Sequence, residues 1–298
     1  MKLGGSICAL ATLFDPAGES LDLEAFARLV DSQIDAGTNA LVVAGSTGEG
    51  AALEPNEFVS LLECALHRSD RRLAILAGTG MQSTRKTIAQ TRLAASVGAD
   101  AALVVVPAYV RPTQEGLYQH FSEVAEHGGL PIMLYNVPSR SACDLLPETV
   151  ERLRDRVGVI GIKEAVPSIE RMLSLTALRG DRFQVFSGDD PTSARAIRAG
   201  ADGVVSVAAN LVPTMMQTLC ERAARGVDTA GLEDRLQPLH ELLAIEPNPI
   251  PLKWCLSQIG LGCPSLRLPM TTLAAIHHSR AANVLVVLGL LEAARASG

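Results

Sequence analysis

Short apolar runs, separated by longer stretches of mixed pattern, recur along the whole chain. Eight runs centre on Ser6–Ala11, Ala40–Ala44, Leu73–Ala77, Ala101–Val106, Ile132–Tyr135, Val159–Lys163, Gln184–Ser187 and Gly203–Val207. The stretch Gly158–Ala165 shows the character best. It is apolar and rich in β-branched residues until Lys163, which reads as a strand buried on both faces. Between the runs lie stretches with apolar positions three and four apart, as in Leu23–Ala36, Phe58–His67 and Leu117–Glu126. That spacing predicts amphipathic helices.

Three passages repeat one junction: Asp35–Gly45, Ser96–Val106 and Arg198–Val207. In each, a helical stretch reaches a glycine suited to the left-handed position after a helix, then an Asn or Asp turn, then an apolar strand. A repeated helix–strand junction signals alternating β and α units around a parallel sheet. Eight units in roughly 210 residues predict a (β/α)8 TIM barrel rather than an open doubly wound sheet. An open sheet would also carry a Gly-x-Gly-x-x-Gly turn after its first strand, and none is present. We assign residues 1–225 to the barrel, with Leu211–Arg225 as its last helix. Residues 226–298 read as a small all-helical appendage, with helices near Leu232–Ile245, Ile250–Ile259 and Leu273–Arg295. The proline-rich segment Glu246–Pro251 separates the first two.

Composition narrows the function. The chain is 298 residues long, 48% hydrophobic and 19% charged, far from the disordered class. A formal net charge of −6 and no basic run argue against a nucleic-acid or anionic-membrane surface. No stretch approaches the about 20 apolar residues of a membrane span, and the start lacks the pattern of a signal peptide. The six cysteines form no Cys-x-x-Cys pair and no zinc spacing to histidine, so we read them as reduced thiols in a cytoplasmic protein without a structural metal.

In such barrels the chemistry sits where the strands end. The second run ends in Gly45-Ser46-Thr47-Gly48-Glu49-Gly50, whose hydroxyls and backbone N–H groups suit either an anion nest or an ordinary tight turn. The fourth ends near Tyr109, and the fifth in Tyr135-Asn136-Val137-Pro138-Ser139-Arg140. Tyr109 and Tyr135 are two of only three tyrosines, the other being Tyr118 in a helical stretch. The seventh ends in Ser187-Gly188-Asp189-Asp190, where Asp190 suits a helix N-cap. The sixth ends in Lys163, one of four lysines beside Lys2, Lys86 and Lys253. Burial disfavours an ammonium, and a neutral lysine amine attacks carbonyls to form a Schiff base. A lysine that merely snorkels out of the strand end is the competing reading. A tyrosine next to such a lysine can shuttle protons, and an arginine beyond it can hold a carboxylate. Histidines fall in helical stretches, leaving little support for a Ser-His-Asp triad.

These motifs resemble the dihydrodipicolinate synthase family, class I aldolases of the N-acetylneuraminate lyase superfamily. Gly45–Glu49 is similar to its pyruvate-carboxylate loop, Tyr135–Arg140 to its tyrosine motif, and Gly161–Ala165 to its Schiff-base motif. Arg111–Phe121 and Glu246–Trp254 are also similar to family segments, so the resemblance runs essentially end to end. It implies condensation of pyruvate with L-aspartate 4-semialdehyde, with no cofactor beyond a covalent imine at Lys163. Tyr135 would donate and accept protons in a relay with Ser46 and Tyr109, the latter reaching in from a neighbouring subunit. Thr47 would hold the pyruvate carboxylate, and Val205 and Gly188 would line the substrate site. Arg140 would receive the semialdehyde carboxylate. A homotetramer built from tight dimers is implied as well. Ser46 stands where the family commonly has threonine, which keeps the hydroxyl.

The resemblance breaks at one place. Lysine-inhibited members use two histidines, an asparagine, a glutamate and a tyrosine at positions matching Pro55, Phe58, Gln82, Lys86 and Ala108 here. Replacing the acid with Lys86 would repel the effector's ammonium, so weak or absent inhibition by L-lysine is expected. Two other functions compete: another pyruvate aldolase acting on 2-keto-3-deoxy sugar acids or sialic acid, and a catalytically silent barrel.

Overall fold

Eight parallel strands pair in sequence order and close on themselves: β1 (Gly5–Ala9), β2 (Ala40–Val43), β3 (Ala74–Gly78), β4 (Ala101–Val105), β5 (Ile132–Asn136), β6 (Val159–Glu164), β7 (Gln184–Ser187) and β8 (Gly203–Ser206). The structure, a computed structural model, describes residues 3–292. Closure runs through β1 and β8, where Ile7 faces Val205 across the seam. Every strand predicted from an apolar run is present, with ends moved by a residue or two. The fold is the expected (β/α)8 barrel.

Side chains divide by strand parity. The inner face is filled by Ile7, Val42, Leu76, Leu103, Met133, Tyr135, Phe186 and Val205. The outer faces pack on the surrounding helices, including Leu23–Asp35, Pro55–Ser69, Thr84–Val97 and Gln114–His127. The helix Pro55–Ser69 starts with proline at its first position and a reciprocal Glu54–Glu57 capping box, so its start is specified locally.

β6 departs from simple alternation. Val159 pairs with Ile132 and Gly161 with Met133, so Ile160 is an extra residue in the ladder. Val159 packs outward and Ile160 inward; past the irregularity Ile162 packs outward, which turns Lys163 inward. Without that insertion the parity of the strand would send Lys163 to the helix side. Gly161 sits at the shift, where a Cβ would collide with the carbonyl oxygen of Gln184.

The C-terminal region forms helices Ala230–Leu243, Ile250–Gln258 and His278–Val287. The last is shorter than expected: residues 273–277 form an extended entry and a 3-10 turn, and residues 293–295 lie outside the described residues. These helices share one apolar core with the barrel, since Leu236, Leu239, Leu252, Trp254 and Leu285 join a cluster that contains Cys8, Leu10 and Leu29. Trp254, the single tryptophan, therefore reports on this shared core. Leu239→Ala is expected to cost about 2–5 kcal/mol. Urea unfolding followed by Trp254 fluorescence and by circular dichroism should shift together; an earlier, separate fluorescence transition would contradict the shared core.

Candidate active site

Lys163 and Tyr135 are direct neighbours across the β5–β6 ladder, both on the inner face. Lys163 is 5% exposed, and its Nζ lies 4.3 Å from the centroid of the Tyr135 ring. No carboxylate pairs with the Lys163 side chain among the described residues. Gly188, at the end of β7, makes the space for it. A Cβ there would lie 2.8 Å from Lys163 Cε and 3.0 Å from Ala165 Cβ. Val205 is buried on the inner face, across the barrel seam from Ile7.

The Gly45–Gly50 loop forms a closed turn: Glu49 N–H donates to Ser46 O (3.2 Å) and Gly50 N–H to Gly45 O (3.1 Å). Thr12 Oγ1 donates to Gly48 O at 2.6 Å, pinning the loop from the segment that follows β1. Thr47 is buried and Ser46 is exposed. Ser46 and Tyr135 line one cavity of about 270 Å³, together with Leu103, Val105, Gln82 and Ala108. Arg140 lies in a one-turn helix, Pro138–Ser141, and its Nη2 donates to Asn248 O at 2.9 Å. Asn248 Nδ2 in turn donates to Thr47 Oγ1 at 3.0 Å. Asn248 thus links two expected site residues, and nothing in its proline-rich surroundings marks it in the sequence.

Tyr109 is not brought to this cluster. It is 91% exposed, with φ of 70°, on a loop where Arg111 is also left-handed at φ 46°. Asp190 departs from the expected N-cap role. It does not cap the following helix, which starts after Thr192; its Oδ2 instead accepts from Val207 and Ala208 N–H, both at 2.9 Å. The β8 loop outcompetes the local helix because it offers two adjacent donors. Of the effector positions, Gln82 and Ala108 line the cavity, Phe58 is buried in the core, and Pro55 and Lys86 are exposed.

Two buried charged groups escaped the sequence reading. Lys253 is fully buried, its Nζ 2.6 Å from Glu49 Oε1 and 4.2 Å from the Phe14 ring centroid. Burial pushes its ammonium down, against the pull of Glu49. Glu164 follows Lys163 but points to the opposite face. Asn136 Nδ2 donates to both its oxygens (3.2 and 3.0 Å) and to Asp144 Oδ1 (2.7 Å). Val166 N–H also donates to it at 2.8 Å, and Arg171 closes the network on Asp144. Burial raises Glu164 to about 7 despite these donors. Histidine stays apart: His120 is buried against Thr84 Oγ1, and burial pushes it down to about 4.

Burial likewise pushes the Cys220 and Cys255 thiols up to about 12. All six cysteines are free. Among the described residues, no cluster of three or more His, Cys, Asp or Glu side chains could hold a metal, and no helix is long and apolar enough to cross a membrane.

A closed parallel barrel with polar side chains gathered at its strand ends has the layout of the (β/α)8 enzymes. The chain belongs to the dihydrodipicolinate synthetase family, whose model matches residues 2–286. It is 49% identical to the 4-hydroxy-tetrahydrodipicolinate synthase of Stenotrophomonas maltophilia, over 98% of this chain and 99% of that one. Among solved structures it resembles the chloride-inhibited dihydrodipicolinate synthase of Acinetobacter baumannii in complex with pyruvate. The TM-score is 0.94 at 38% identity, covering 97% and 100% of the two chains. The lysine-bound enzyme of Cyanidioschyzon merolae superposes with a TM-score of 0.93 at 30% identity, over 97% of this chain and 99% of that chain. The protein is therefore an enzyme, a lyase of the dihydrodipicolinate synthase type.

Glu164 yields a pH prediction. Its folded pKa lies above the unfolded value, so the stability linked to its protonated form is complete below about 4.5 and is lost as pH rises through about 7. Glu164→Gln keeps an acceptor without the charge. Melting temperatures should show the wild type losing stability relative to this variant between pH 5 and pH 8.5, on the order of a few kcal/mol at most. A constant difference across that range would contradict the raised pKa.

Proposed function

We propose that this enzyme condenses pyruvate with L-aspartate 4-semialdehyde through an imine on Lys163, serving lysine and diaminopimelate biosynthesis in the cytoplasm. The observation that carries the proposal is the inward-facing, unpaired Lys163 beside Tyr135. Its amine attacks C2 of pyruvate, and the carbonyl oxygen leaves as water after taking two protons. Tyr135 supplies and recovers protons at this step, and Ser46 extends the relay along the same cavity. Loss of a C3 proton gives an enamine whose C3 bonds to the aldehyde carbon. The aldehyde oxygen takes up a proton to become a hydroxyl, matching the proton lost from C3. The amino group of the semialdehyde then attacks C2, closing a ring. The C2–N bond to Lys163 breaks as a proton moves from the incoming amine to the lysine nitrogen, returning the free amine. No metal or other cofactor enters these steps.

The hydroxyl of Thr47 receives the pyruvate carboxylate, Gly188 and the Val205 backbone line the pocket, and Arg140 takes the carboxylate of the semialdehyde as a guanidinium fork. Pyruvate in the Acinetobacter baumannii complex supports the choice of first substrate. The exposure and strained backbone of Tyr109 support its completing the relay of a second copy, within a homotetramer of tight dimers.

Borohydride reduction with pyruvate tests the chemistry. Wild type should gain one pyruvate-derived adduct on Lys163 and Lys163→Ala none, with loss of most of an enhancement on the order of 10⁶-fold or more. A wild type that gains no mass would leave a silent barrel. Coupled assays should favour the semialdehyde over 2-keto-3-deoxy sugar acids and sialic acid; the reverse preference would indicate another pyruvate aldolase.

The enzyme is also weakly inhibited or uninhibited by L-lysine. Lys86 stands in the first turn of the helix Thr84–Val97, where helix dipole and side chain both repel an ammonium. Phe58 is turned into the core and offers no polar contact. Calorimetry should find no micromolar lysine binding, in contrast to a lysine-binding relative; a micromolar isotherm would overturn this.

A further inference from the structure

The loop that carries Ser46 and Thr47 contains three glycines, yet none of them adopts the left-handed conformation. Ala44 (φ 56°) and Glu49 (φ 51°, ψ 34°) do so instead. A position selected only for backbone freedom would hold glycine. Strain of this kind persists where surrounding contacts over-determine it. At Glu49 the contacts are specific. One carboxylate oxygen meets Lys253 Nζ at 2.6 Å, and the other accepts from Arg267 N–H at 3.1 Å. Both partners come from the C-terminal region, more than 200 positions away.

The pair is dry: the side chains of Lys253 and Glu49 are 0% and 4% exposed. Taking both charges out of water costs about as much as their attraction returns, so a well-packed apolar pair would serve stability as well. What an apolar pair would lack is direction. The ion pair holds Glu49 two residues from Thr47, whose hydroxyl is itself held by Asn248 of the same C-terminal segment. Gly48 is pinned opposite by Thr12, and a Cβ on it would approach Leu10 O to 3.0 Å.

We propose that Glu49 and Lys253 are positioning residues: their buried ion pair sets the Ser46–Thr47 turn for the pyruvate carboxylate, so the C-terminal helices determine pyruvate affinity. This rests on the assignment of Lys163 and Thr47 made above. The test is the double variant Glu49→Gln/Lys253→Met, which removes both charges at once and leaves an acceptor for Arg267. Leu252→Ala, a fully buried neighbour in the same helix, serves as a control for stability alone. The double variant should raise KM for pyruvate by about tenfold or more, while kcat and KM for the aldehyde move by less than about threefold. Leu252→Ala should lower Tm and leave the pyruvate KM unmoved.

If the double variant does not fold, Glu49→Gln alone should show the same split. An unmoved pyruvate KM, an equal rise in Leu252→Ala, or failure of both Glu49 variants to fold would overturn the proposal. Wild type that forms no pyruvate adduct at Lys163 would overturn the functional assignment and this inference together. Wild type that forms the adduct, with variants that behave like it, would overturn the inference alone.

Discussion

Everything at this barrel mouth depends on which way one side chain points. Strand side chains alternate faces, so a single extra residue reverses all that follow it. Ile160 is that residue in β6, and the reversal turns Lys163 inward beside Tyr135 while sending Glu164 outward to Asn136. The same parity that turns Lys163 into the barrel sends the neighbouring Glu164 to the outer face, where Asn136 and Val166 donate to it. Gly161 permits the shift because the Gln184 carbonyl leaves no space for a side chain there, and Gly188 permits the lysine its room.

The outward face and the C-terminal helices then fix the strand ends from behind. Asn136 bridges β5 to β6 through Glu164 and reaches Asp144, which Arg171 holds from the next helix. On the far side of the mouth, Lys253, Asn248 and the Arg267 backbone grip the Gly45–Gly50 loop. Arg267 also forks onto Glu57 and lies 4.4 Å from the Phe14 ring centroid, tying the start of the Pro55–Ser69 helix into the same assembly. Buried polar networks of this kind stabilise little beyond an apolar core, but they specify geometry. The C-terminal region therefore holds the Gly45–Gly50 loop as well as sharing the core.

Much of this was legible in the residues. The strands of a parallel sheet are apolar on both faces, so the eight runs stood out, and the repeated junctions of glycine followed by Asn or Asp set the alternation. Lys163 was visible as the one charge ending an apolar run. What stayed hidden depended on register or on distance. The adjacency of Lys163 and Tyr135 follows from the β5–β6 ladder, and the bulge at Ile160 leaves no signature in composition. Lys253 looked ordinary after its prolines because its partner, Glu49, is 204 positions away. Asp190 was misread because Asp-Pro-Thr-Ser resembles a local cap, whereas its carboxylate crosses to the β8 loop.

The most direct test of this arrangement is a crystal structure of the enzyme soaked with pyruvate. Density should run unbroken from Lys163 Nζ to C2 of the ligand, with the ligand's carboxylate on the Ser46–Thr47 turn and the Tyr135 hydroxyl beside the new bond. A free Lys163 amine, with pyruvate absent or bound away from that turn, would contradict the account.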